Sequence, residues 1–151
     1  EIAFKATAHA KSQQWTCNRT QSSGGYGRIL VDCPDLRKSL LRLGFAHVFW
    51  MNEPAPDQIV LPQTQAIQER IGMWAKGSPD WILTSLHSSS EDNLPVPYNR
   101  MVSTRTGEAK ASQHSKRYQT CQQVCESGSC MIYVPYRIRY GKNRPNCLKV
   151  Q

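Results

Sequence analysis

Hydrophobic and polar positions alternate at both ends of this chain. Ile2, Phe4, Ala6, Ala8 and Ala10 fall on one side of a period-two pattern, and Lys5, Thr7, His9 and Lys11 on the other. That spacing predicts a half-buried strand over residues 2–11. Near the other end, Ile132, Val134, Tyr136, Ile138 and Tyr140 alternate with Tyr133, Pro135, Arg137 and Arg139. This predicts a C-terminal strand that Pro135 confines to an edge or a bulge, with residues 147–150 returning beside it after a turn at 141–145. Further strands are expected at 14–20, 28–31, 46–51, 58–61, 81–86 and 100–104, separated by turn-rich runs such as 22–25, 54–56 and 77–80.

Helical spacing occurs in two places. Residues 34–44 open with Pro34 and close with Gly44, and Leu36, Leu40 and Leu43 form one apolar stripe. Residues 64–76 place Ile67, Ile71 and Trp74 on one face, with Gly72 weakening the pattern. Residues 87–98 read as a loop, and 106–119, polar and basic, as an exposed arm. The sum is a β-rich α+β fold: an antiparallel barrel or sandwich of about eight to ten short strands with one or two helices, in one domain spanning 1–151.

Six cysteines, Cys17, Cys33, Cys121, Cys125, Cys130 and Cys147, change the picture from a plain domain to a disulfide-stapled one. With the sequon Asn18-Arg19-Thr20 and a start at Glu1, they imply a processed, secreted, extracellular protein. Cys17 and Cys33 lie on neighbouring expected strands and are the first pairing. For the remaining four, Cys147 is expected to pair with Cys130 or Cys125. Zinc is the lesser reading of these thiols, because only one tight pair is present and the compartment favours oxidation. No metal and no cofactor is expected, and no apolar run is long enough for a membrane helix.

The net charge is +8 and unevenly spread. Residues 101–151 carry nine Lys/Arg against two acids, whereas residues 51–100 carry three against six. A basic end points to an anionic partner: an acidic protein, an anionic glycan or nucleic acid. The candidate binding face is Tyr133, Arg137, Arg139, Lys142 and Arg144, which combine aromatic surface with anion-binding groups. Metal-independent RNA cleavage needs a base, an acid and a cation, for which His9, His47 or His87 with Glu53 or Glu69, plus Arg137 or Arg139, supply the residue types. Trp15, Trp50, Trp74 and Trp81 suggest a lectin as a third class. No G-x-S-x-G elbow or phosphate-binding loop occurs.

The processed start, the length, the six cysteines and the β-rich pattern together resemble the small secreted cysteine-containing effectors and host-selective toxins of plant-pathogenic fungi. The resemblance implies a monomeric, non-enzymatic binding protein that acts on a host target outside the cell, in virulence or necrosis. A secreted basic ribonuclease is the alternative, and a glycan-binding lectin the next.

Overall fold

Alanine content decides the first element. A computed structural model describes residues 1–23 (backbone only at 21–23), 27–91, 96–140, 142 and 144–149. In it Ile2–Lys11 is a helix, α1, and the expected strand is absent. The alternation there rests on small alanines, which carry little hydrophobic weight and have the highest helix propensity of any residue. Half-buried positions fall at Ile2, Ala6, His9 and Ala10, a helical spacing, while Phe4 is 73% exposed. Lys5 pairs with Glu1 one turn away.

The chain builds two compact units. The first comprises Glu1–Val48 and Pro56–Ser78. In it β1 (Asn18–Ser23) pairs antiparallel with β2 (Ile29–Asp32), and the Cys17–Cys33 disulfide closes beside them as expected. The expected turn at 22–25 is partly strand, at Ser22 and Ser23, and positions 24 and 25 lie outside the described residues. Helix α2 (Pro34–Arg42) follows, with Pro34 in its first turn and Gly44 beyond its end at φ +62°. Leu36, Leu40 and Leu43 are half-buried, and Leu41 between them is the fully buried residue.

Expected strands at 46–51 and 58–61 shrink to two residues and vanish, respectively. Gln63, wholly buried, accepts the Val48 N–H at 2.7 Å, and the His47 ring donates through Nδ1 to the Val48 carbonyl at 3.0 Å. Side chains thus take both backbone groups that a strand would offer to a neighbour. Residues 58–61 begin α3 (Asp57–Gln68), which carries Pro62 in its interior. A proline there argues from sequence for a later start, but Val60, Pro62, Gln63 and Ala66 are buried together, and packing overrides the lost hydrogen bond. The stretch expected to continue to residue 76 becomes a 3₁₀ turn at Gly72–Trp74.

Gly44 and Gly72 meet backbone to backbone. Gly72 has φ +60°, and a Cβ on it would lie 2.4 Å from the Gly44 carbonyl oxygen; a Cβ on Gly44 would lie 2.3 Å from that of Ile71. The Met73 N–H donates to the Gly44 carbonyl at 2.9 Å.

The second unit comprises Phe49–Ala55 and Pro79–Gln151. Its sheet runs β3-β6-β5-β4, from β3 (Trp50–Met51), β4 (Trp81–Leu86), β5 (Tyr98–Ser103) and β6 (Glu108–Gln113). Neighbours are antiparallel except β3, which lies parallel to β6. Strand β6 falls within the expected exposed arm. Its Glu-Ala-Lys-Ala-Ser-Gln sequence has no β-branched or aromatic residue, yet Ala109 is 2% exposed between its neighbours. Gly107, at φ +70°, and the Ser103 hydroxyl, which accepts the Arg105 and Thr106 N–H groups, shape the turn that delivers it.

Beyond it, β7 (Gln123–Glu126) and β8 (Ser129–Ile132) form a hairpin across Ser127 and Gly128, both at positive φ. Cys125 and Cys130 face each other in this hairpin and are bonded, so Cys147 pairs with Cys121 and with neither expected partner. The expected strand at 132–140 stops early. Pro135 cannot donate to a ladder and instead starts a four-residue helix, α4 (Tyr136–Arg139). The expected return strand is a 3₁₀ turn at Asn146–Leu148, and positions 141, 143 and 150 lie outside the described residues. Leu83, Leu86, Met101, Tyr118 and Tyr133 form the core of this unit.

Among the described residues there are four α-helices and eight short strands in three separate sheets, so the architecture is disulfide-bonded α+β and no barrel closes. Two predictions follow from the backbone. Gly72→Ala destabilises the protein by about 3 kcal/mol or more, because left-handed strain and a backbone clash add; chemical denaturation checks it. Replacing Cys121 and Cys147 by serine costs about 3.5 kcal/mol by loop closure, against about 2 kcal/mol for the short Cys125–Cys130 loop. Thermal melts of the two double variants should therefore rank in that order.

Candidate functional site

Strand alternation divides the middle of the sheet into an inward and an outward set. On β5, Asn99 points into the core and is 1% exposed, whereas Tyr98 and Arg100 flank it on the other face and are half-buried. Leu86 is the last residue of β4 and pairs with Asn99, so His87 stands opposite Tyr98. The two rings lie 4.5 Å apart, centre to centre, tilted by 38°.

The turn after β4 brings Glu91 back to His87. Its Oε2 lies 3.2 Å from His87 Nδ1, and its Oε1 accepts the Tyr133 hydroxyl at 2.8 Å. An ionised carboxylate can only accept, so Nδ1 carries a proton, and in the neutral ring the lone pair lies on Nε2. Burial raises the Glu91 pKa, but the hydrogen bonds from Tyr133, His87 and the Ser88 N–H outweigh it and hold the carboxyl below its ordinary range. The Tyr133 phenol is pushed up to about 12, by burial first and then by its bond to Glu91.

Arg100 completes the outward group. One guanidinium nitrogen donates to the Tyr98 hydroxyl at 3.2 Å, and the guanidinium carbon sits 5.5 Å from the Tyr98 ring centre and 5.8 Å from that of Phe49. Histidine, carboxylate, tyrosine and arginine are thereby arranged around one aromatic ring.

The inward set is structural. Asn99 Nδ2 donates to the Tyr118 hydroxyl at 3.0 Å and to Glu126 at 2.9 Å, while its Oδ1 accepts from His114 Nε2 at 3.0 Å. The Lys116 N–H donates to His114 Nδ1 at 3.1 Å, which fixes the neutral ring with its proton on Nε2. Burial, then the Lys116 charge, lowers the His114 pKa accordingly. Both nitrogens of His114 are committed, so it anchors the chain and has no proton to trade. Ser88, wholly buried, accepts the Tyr118 N–H at 2.8 Å and docks the same turn from below.

Of the residues named from sequence for cleavage chemistry, His87 alone belongs to this group. His9 Nε2 bonds the Ser39 hydroxyl at 2.8 Å and its ring packs against Trp15 and Phe45. His47 holds Val48, Glu69 is paired with Arg42 at 2.5 Å, and Glu53 accepts from the Trp50 indole at 3.3 Å. Glu91 went unrecognised because it sits in a polar loop, although a His and Glu four apart was a readable signal.

The expected binding face is also rearranged. Tyr133 is 1% exposed, packs against Tyr118 and bonds Glu91, so it belongs to the core. Arg139 donates to the Val134 carbonyl at 2.7 Å. Arg137, Lys142 and Arg144 are exposed, joined by Tyr136 and Tyr140, which the strand reading had turned inward. Asn18 is exposed at the start of β1. Trp74 is buried and Trp15, Trp50 and Trp81 are half-buried. Among the described residues, no group of three His, Cys, Asp or Glu side chains is placed to hold a metal ion.

Tyr133→Phe removes a hydrogen bond to a charged, part-buried partner and should cost about 2 kcal/mol. A phenol whose folded pKa is raised stabilises the fold fully below pH 10, and that contribution fades as pH climbs toward about 12. Melting curves across this range should show a decline in the wild type that the phenylalanine variant lacks. No known protein family matches the chain, and no curated protein or solved structure matches it.

Proposed function

We propose that the protein is a secreted binding protein of the effector or toxin type, which engages an acidic surface of an extracellular host protein through its C-terminal segment. The observation that supports this reading is the pair Tyr136 and Tyr140, 67% and 78% exposed, with rings packed edge to face 5.8 Å apart. Exposed Arg137 lies between them, and exposed Lys142 and Arg144 follow. Tyrosine and arginine are the residue types that dominate binding hot spots, because each offers large contact area together with directed hydrogen bonds. The positive charge of residues 101–151 favours rapid encounter with an acidic partner.

The Cys121–Cys147 bridge joins the chain before this segment to the chain after it. Three disulfides are compatible with an oxidising environment, and no helix among the described residues is long and apolar enough to cross a membrane.

Infiltration of the oxidised protein into leaves of a plant panel tests the proposal. Cell death is expected with the wild type and with His9→Ala. It should be lost with Tyr136→Ala/Tyr140→Ala and after reduction and alkylation. A wild type without response on every plant, or a tyrosine double variant as active as the wild type, sinks the reading. Loss of activity through competition by heparin or RNA would redirect it to a polyanion.

A further inference from the structure

We infer that His87, Glu91, Tyr98 and Arg100 form a site that cleaves single-stranded RNA at its phosphodiester without a metal. The inference uses a different set of residues from the binding reading and stands independently of it.

Three features carry it. First, Glu91 takes the Nδ1 proton side of His87, and no hydrogen bond engages Nε2 among the described residues. A ring held in this tautomer is a base of fixed direction, and the carboxylate behind it stabilises the imidazolium once formed. Both side chains are reachable from solvent, at 26% and 22% exposure. Second, Glu91 is itself clamped by Tyr133 and by a turn docked on buried Ser88, so the base rests on the core. Third, Arg100 shares the Tyr98 ring with His87 and spends one donor on its hydroxyl, which leaves the rest of its fork for an anion.

The chemistry balances with these groups alone. His87 Nε2 removes the ribose 2′-OH proton, the 2′ oxygen bonds to phosphorus, and the bond from phosphorus to the 5′ oxygen breaks. The departing 5′ oxygen takes a proton from the imidazolium or from water, which yields a 2′,3′-cyclic phosphate and a 5′-hydroxyl. Arg100 offsets the extra negative charge at phosphorus as it develops. Phe49, 40% exposed beside Arg100, offers a face for a base next to the cleaved bond.

The test is incubation of the oxidised protein with an end-labelled single-stranded RNA and its all-deoxy counterpart, in chelator, across pH 4–9. Cleavage of the RNA only, with cyclic-phosphate ends, is expected. His87→Asn should reduce the rate by about a hundredfold or more, and Arg100→Lys by a smaller factor. Glu91→Gln should shift the pH profile as well as the rate, which a merely structural residue would not do. His9→Ala, purified identically, keeps the wild-type rate and excludes a contaminating nuclease. Should His87→Asn fail to fold by melting, Arg100→Lys carries the comparison. No cleavage above a reduced control, equal cleavage by the wild type and by the His87→Asn and Arg100→Lys variants, or cleavage of the deoxy strand overturns the inference.

Discussion

The amide of Asn99 is the group on which the second unit depends. It sits in the core on the central strand β5, and its nitrogen and oxygen together engage Tyr118, Glu126 and His114. Those partners come from the segment after β6 and from β7, so one side chain joins two further stretches of chain to the sheet. A buried amide is tolerated because its partners satisfy it. The next residues along the strand face the other way. Tyr98 and Arg100 are therefore fixed in direction by a network they do not join.

How much of this was legible in the sequence varied with the physical signal. Helix α2 was readable because proline, glycine and a leucine stripe agreed, and β4 because Trp81, Ile82 and Thr84 favour a strand. Helix α1 was misread because alanines mimic alternation without supplying hydrophobic weight. Strand β6 was missed because Glu108–Gln113 owes its conformation to its neighbours. The C-terminal run shows the limit of periodicity: five alternating residues were interrupted by a single proline, and the buried tyrosine and the exposed ones exchanged places.

The candidate site divides in the same way. His87 was visible as a residue type, but Tyr98 and Arg100 reach it only through pairing across β4 and β5, while Glu91 comes from the turn that follows β4. His114, by contrast, read as exposed and is committed through both ring nitrogens. Cysteine spacing predicted Cys17–Cys33 because the two expected strands were adjacent. It misassigned the others because the β7–β8 hairpin was not foreseen.

The path of the chain between the two units bears on how the protein is made. By Ser78 every segment of the first unit has been synthesised, whereas β3 at Trp50–Met51 already belongs to the second. Its partner β6 begins at Glu108, so for many residues of elongation β3 has no strand to pair with. On a ribosome the first unit can close early, while the second must gather a segment that lies in sequence between two parts of the first and pair it in parallel, the slower kind of contact. Slow translation past Ser78 would favour the first unit, and the second is completed only after its last cysteine, Cys147, has emerged.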